Sequence, residues 1–248
     1  MIPDDAVERL MESALNIGAA CDKENVQQWE VYATQGYGHS LEIEAGRISM
    51  ASGGGDGGFG IRIVEDGRYG YAHLVDPSSA SRAIQQALSI AKRSPSIDGF
   101  ELPGNESASK VGGMKDKAIL DMGPEDLLEQ GDQVLTRVTE LDSRAVAVGG
   151  GIGVGAGAGA LVTSSGIENG GVHTSHGIGI HVSIDEDEHL TSSYEGESSR
   201  SILKDLTASV DKAVHWSQAT REKIPGGATE DCPVLMTSGG FSPLFSVV

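Results

Sequence analysis

The side chains able to do chemistry are few and scattered. The sequence holds seven histidines, two cysteines and 36 acidic residues. Zinc hydrolases grip their metal through two histidines four apart on one helix face, with a glutamate between them to activate water. No His-Glu dipeptide occurs in this sequence. The nearest approach to a ligand pair, His173-Thr174-Ser175-His176, falls between strand-like segments, where residues three apart point to opposite faces unless a turn brings them together. Gly38-His39-Ser40-Leu41-Glu42 fails the G-x-S-x-G serine-nucleophile pattern at its last position, and no G-x-x-x-x-G-K-[ST] phosphate loop is present. Gly53-Gly54-Gly55-Asp56-Gly57-Gly58 fits G-x-G-x-x-G, but a dinucleotide site needs a helix after it, and here a strand is expected. The acidic run Asp185-Glu186-Asp187-Glu188 reads as a solvated turn rather than a calcium loop. The sequence therefore assigns no catalytic residue, no metal ligand and no substrate-binding residue, and no cofactor is expected in the chain.

A second glycine run has a different meaning. Gly151, Gly153, Gly155, Gly157 and Gly159 share one face of an expected strand, and Ile152, Val154, Ala156, Ala158 and Ala160 share the other. Glycines along one face signal close approach to the backbone. Packing of a helix or second sheet on that face is the expectation; a peptide lying across it is the alternative.

The elements that would position such residues are legible as periodicities. Helical spacing appears in Val7, Leu10, Met11, Ala14 and Leu15, with Gly18 and Cys21 continuing the face. It recurs in Ala80, Ala83, Ile84, Ala87, Leu88 and Ala91 behind the start signal Asp76-Pro77. A third helix opens at Pro124 and carries Leu127, Leu128, Val134, Leu135, Val138 and Leu141; a fourth carries Leu203, Leu206, Val210, Ala213 and Val214. Between them the period falls to two. Trp29, Val31 and Ala33 read as one strand, and a hairpin turns at Glu44-Ala45-Gly46-Arg47. Another turns at Asp66-Gly67, the dipeptide that supplies the positive φ angles of a tight turn. Ile178, Ile180, Val182 and Ile184 form a later strand. Antiparallel strands with helices in blocks give an α+β class. The order helix, strands, helix occurs twice and hints at an internal duplication. The expected organisation is an α+β domain over 1–224, with halves of about 1–95 and 119–224 joined by a loop at 96–118, and the start of a second domain at 225–248.

Composition narrows the partners. With 18 basic against 36 acidic residues the net charge is −18, a field that repels phosphate backbones, so direct nucleic-acid binding is not expected. Cys21 and Cys232 make neither a disulfide framework nor a C-x-x-C site, which fits a reducing compartment. The first residues, MIPDDAVERL, lack the apolar run of a signal peptide. The uncharged stretch 145–166 has too few large apolar residues for a membrane span and reads as buried sheet.

Several segments resemble the amino-terminal signature of the TldD/PmbA family. They are Phe59-Gly60-Ile61-Arg62-Ile63, Asp66-Gly67-Arg68-Tyr69-Gly70-Tyr71-Ala72, and the helix Ala83–Ala91 closed by Lys92-Arg93-Ser94-Pro95. The hairpin at Gly46-Arg47-Ile48 is similar too. Thr163-Ser164-Ser165-Gly166 resembles the family's asparagine-serine-x-glycine stretch, with Thr163 in place of asparagine, and Cys232-Pro233-Val234-Leu235-Met236 resembles the strand that opens the carboxy-terminal part. Members are also called modulators of DNA gyrase. The resemblance implies a cytoplasmic, dimeric protein with an α+β amino-terminal part and a β-rich carboxy-terminal part. In the TldD branch it implies a zinc peptidase acting on unfolded peptides through an H-E-x-x-x-H or H-E-x-x-x-D helix. The PmbA (TldE) branch lacks that pattern and serves as the partner subunit.

Two departures follow from the resemblance. The chain stops at Val248, where the family continues, so truncation within a carboxy-terminal domain is expected. Leu244-Phe245 fall on the family's paired leucines, and the next two positions, His and Glu in the catalytic branch, are Ser246 and Val247. This favours the non-catalytic PmbA/TldE branch, with zinc in a TldD-type partner, or a homodimer as the assembly. An amino-terminal fragment of a catalytic TldD-type peptidase and a stand-alone interaction module are the alternatives.

Overall fold

The structure is a computed structural model that describes residues 2–104, 109, 111–186, 189–220, 233–236, 240–241 and 244. The chain runs α1 (Ala6–Lys23), β1 (Gln28–Glu44), β2 (Arg47–Glu65), β3 (Arg68–Leu74), a 3-10 turn (Pro77–Ser79) and α2 (Ala80–Ala91). It continues with α3 (Lys117–Leu120), α4 (Pro124–Leu141), β4 (Ala145–Thr163), β5 (Glu168–Glu186), β6 (His189–Ser199) and α5 (Thr207–Ala219). The six strands form one antiparallel sheet in the order β3-β2-β1-β4-β5-β6, so the fold is α+β.

Each hairpin follows from its turn residues. Ala45 and Gly46 (φ 50° and 75°) join β1 to β2, and Asp66 and Gly67 (φ 50° and 69°) join β2 to β3. Two consecutive positive φ angles match the twist of the flanking strands. The strands are much longer than the alternating stretches alone indicate. Trp29–Ala33 and Leu41–Ile43 are two ends of a single 17-residue strand, and Gly53–Gly58 is the middle of a 19-residue one.

All the large helices lie on one face of the sheet, in two blocks over opposite ends of the long strands. One core joins α1 and α2 to Trp29, Val31, Ile61, Ile63, Ala160 and Val162. The other joins α4 and α5 to Leu41, Ile43, Ile152, Ile180, Val182 and Ile184. The burial is that of Ile and Val side chains removed wholly from water, each contributing about 1.5–3 kcal/mol against chain entropy.

Several expectations need correction. Among the described residues no helix or second sheet packs on the glycine face of β4. A Cβ added at Gly151, Gly153, Gly155, Gly157 or Gly159 would meet only atoms of neighbouring strands, such as the Leu41 carbonyl, the Ser175 hydroxyl and the His173 ring. The helices cover the opposite face, carrying Ile152, Val154, Ala158 and Ala160. The buried stripe of α1 is Ala6, Leu10, Ala14, Ile17 and Cys21, and Leu15 is turned outward. The last helix starts at Thr207, after Asp205 accepts its first backbone N–H and its hydroxyl, so Leu203 precedes it. The segment expected to open a second domain, 225–248, lies mostly outside the described residues.

Cys21 faces the α1 core and is fully buried. Burial, helped by the neighbouring Asp22 carboxylate, pushes its thiol up to about 12. Since the thiolate is the nucleophile, a Cys232→Ser variant should leave Ellman's reagent unreacted at pH 8 and release one thiol equivalent only in denaturing urea. Prompt reaction of the native protein would contradict this packing.

Candidate functional site

The bareness of the sheet's centre is the feature of most chemical interest. β3 pairs only with Phe59–Glu65 of β2, leaving Arg47–Gly58 without a strand on its outer side among the described residues. Ala51 to Gly57 are all exposed. Five of the six residues Gly53–Gly58 lack a side chain, so this edge presents N–H and C=O groups almost unobstructed. Natural proteins usually block such an edge with charge, proline or a bulge; here the one charged residue in the run is Asp56.

Beside the edge, between the two helix blocks, lie Tyr37 and His39. The register sets Tyr37 against Gly55 and Ala156, and His39 against Gly53 and Val154, all on the helix-bearing face. Tyr37 Oη and His39 Nε2 lie 3.1 Å apart, with their rings edge to face at 5.0 Å. The His39 ring fills the place of a Gly53 side chain, since a Cβ there would come within 2.3 Å of Nδ1. A cavity of about 320 Å³ opens over this pair, walled by Ile119, Leu120 and Met122 on one side and Ile2 on the other. It shares Tyr37, His39 and Val154 with a broader hollow of about 510 Å³ that reaches the β2 edge at Ser52–Asp56.

The wall is held by specific contacts. Asp116 caps α3 by accepting the Ala118 N–H, and it also accepts the N–H of Ile202. These two backbone donors hold its carboxyl below the usual range. The same loop is tied to β5, where the Thr174 N–H donates to the Met114 carbonyl and the Asp116 N–H to the Thr174 hydroxyl.

The structure separates His173 and His176, as strand geometry requires. His173 is exposed and lies over Gly157 on the bare face. His176 is fully buried; its Nδ1 accepts the Leu203 N–H, and its Nε2 lies 3.2 Å from Gln130 Oε1. Burial lowers its pKa. Because the unfolded chain then binds a proton that the folded one refuses, stability should be full above about pH 6.5 and decline as pH falls below it. A His176→Gln variant should flatten that limb of a urea-midpoint profile between pH 7 and 5. An unchanged slope would show that His176 does not carry it. Among the described residues no group of three or more His, Cys, Asp or Glu is placed to hold a metal.

Residues 29–91 match the family model described as PmbA/TldA metallopeptidase domain 1. Over this stretch the chain is similar to the first domain of the TldD/PmbA family. Its fold is similar to TldE from Thermococcus kodakarensis, with a TM-score of 0.73 at 21% identity, covering 84% of this chain and 47% of that one. It is also similar to a candidate modulator of a DNA gyrase from Thermotoga maritima (TM-score 0.73, 12% identity, 87% of this chain and 50% of that one). A third likeness is to a candidate modulator of DNA gyrase from Bacteroides thetaiotaomicron (TM-score 0.69, 18% identity, 86% and 50%). The chain thus spans about half the length of each of these structures. No curated protein matches it.

The segments that resemble the TldD/PmbA signature do structural work in this chain. The Asp66 carbonyl accepts from Ser96 Oγ and the Gly67 carbonyl from the Ile97 N–H, pinning the turn to the chain beyond α2. Arg68 donates to the Lys92 carbonyl at the end of α2. Gly70 sits beneath α2, where a Cβ would come within 2.0 Å of the Ala87 carbonyl oxygen. Thr163–Gly166 is a stapling turn. Its Ser164 exchanges two hydrogen bonds with the Trp29 backbone, and Ser165 Oγ donates to the Pro103 carbonyl. Sequence reasoning found these residues by resemblance and missed Tyr37 and His39. Only the strand pairing, invisible without the glycine-run register, brings those two beside the open edge. No helix of the described chain is long and apolar enough to cross a membrane.

Proposed function

We propose that this chain forms the amino-terminal part of a non-catalytic TldE-type subunit. It pairs in the cytoplasm with a zinc-bearing TldD-type subunit, and the two together enclose and hydrolyse unfolded peptides. The observation that carries this reading is the family match over 29–91 within a fold similar to a protein described as TldE. The open edge of β2 supports the peptide-holding part. An extended chain can add to a free strand edge through main-chain hydrogen bonds alone, which suits substrates of varied sequence. The sequence holds no His-Glu dipeptide of the kind with which the TldD branch would grip zinc and activate water. No step of hydrolysis is therefore assigned to these residues.

The direct test is association. Co-expressed with a TldD-type subunit from the same genome, the chain should elute with it on size exclusion, and light scattering should give the mass of a defined complex. Separate elution would overturn the pairing. Should the gene prove to encode H-E-x-x-x-[HD] downstream of position 248, the chain would instead be the amino-terminal part of a catalytic TldD-type peptidase.

A further inference from the structure

We propose that the hollow between the helix blocks is a side-chain site, selective for large apolar residues flanked by basic ones, on a peptide added to the β2 edge. The geometry starts from the register. Odd-numbered residues of β2 face the helices, as Phe59, Ile61 and Ile63 do at the covered end. At the bare end those positions are Gly53, Gly55 and Gly57. A strand laid beside them sends alternate side chains to the same face. No side chain of β2 blocks their way to Tyr37 and His39. What they would then meet is apolar: Val154 and Ala156 on the floor, Ile119 and Met122 on the wall, and the aromatic edge of Tyr37. The Tyr37–His39 pair supplies the few convergent polar atoms that an otherwise apolar pocket uses to orient what it binds.

Charge decides the flanking residues. Among the described residues no lysine or arginine lines either hollow; the ionised side chains there are Asp121 beside the smaller one and Asp56 beside the larger. With a net charge of −18 behind them, these carboxylates attract basic peptides and repel acidic ones. The ligand class is thus an extended peptide alternating apolar and basic residues. The peptide-handling reading above supplies the kind of ligand; the pocket itself is argued from this chain alone.

The test is calorimetric titration of the chain, without any partner subunit, with N-acetylated and C-amidated Lys-Phe-Lys-Phe-Lys-Phe-Lys. Binding is expected, weakened about tenfold or more when the phenylalanines are replaced by alanine, and likewise when the lysines are replaced by glutamate or alternate amides are N-methylated. Ala156→Leu, which fills the cavity, should weaken the phenylalanine peptide about tenfold and the alanine peptide less than about twofold. If that variant melts early, the peptide replacements still decide the matter, since they leave the protein untouched. No binding, or binding indifferent to phenylalanine or to N-methylation, would overturn the proposal. Because the partner is not in the titration, a chain that binds the peptide but fails to associate with a TldD-type subunit would defeat the proposed function and leave the pocket standing. The reverse pattern would do the opposite.

Discussion

Gly70→Val should unseat α2 and cost the fold at least about 3 kcal/mol, at or beyond the upper end of ordinary overpacking. The reason is what the new side chain would strike. Its Cβ alone would lie 2.0 Å from the Ala87 carbonyl oxygen and 2.7 Å from the Ala91 amide nitrogen, both helix backbone. A flexible side chain can swing aside, but a helix backbone moves only as a unit. Moving α2 would open the core that its buried Ala83, Ile84 and Ala87 share with β2 and β3. Urea denaturation followed by circular dichroism should show the midpoint collapse, or a separate early transition as the α2–β3 corner melts. Gly54→Ala is the matching control, because nothing lies within 4 Å of its added Cβ. It should stay within about 0.5 kcal/mol of the parent. Equal effects at the two glycines would refute the packing described.

Trp29→Ala should be comparably severe, at about 3–5 kcal/mol, the range for removing a large buried aromatic. The indole is 6% exposed and lies so close over Gly18 of α1 that a Cβ there would come within 2.2 Å of it. Its Nε1 donates to Asp22 at 2.7 Å, fixing the ring's orientation. Removing it leaves a cavity between α1 and β1 and returns the exposed Asp22 carboxylate to water. A Trp29→Phe variant keeps most of the volume and should recover more than half of the lost midpoint. Equal loss from Phe and Ala would mean that the Asp22 hydrogen bond, rather than packing, carries the effect.

These two residues also mark what the sequence made legible. Trp29 begins a clean alternation, and Gly70 sits in a motif whose Asp66-Gly67 turn announces itself chemically. At such places local propensity, pattern and packing agree, and the helices, hairpins and α+β class could be read directly. The middle of the sheet could not. There β2 passes between two helix blocks, nothing selects an apolar residue on either of its faces, and the alternation that identifies a strand disappears into Gly53–Gly58. The same loss of pattern hid Tyr37 and His39. A lone tyrosine and histidine on a polar stretch carry no signal until a register of 17 paired residues sets them against glycines. The glycine face of β4 misled for a related reason: close approach was expected from a helix, whereas the approaching atoms belong to neighbouring strands of the sheet itself.

The central claim is that this chain holds peptides for a zinc centre carried by another subunit. It is tested most directly by measuring hydrolysis of an unfolded, apolar–basic peptide alongside the zinc content of each purified component. The account predicts no cleavage and no bound zinc for this chain alone, and cleavage once a zinc-loaded TldD-type subunit is added. Stoichiometric zinc and peptide cleavage in preparations of this chain by itself would contradict it.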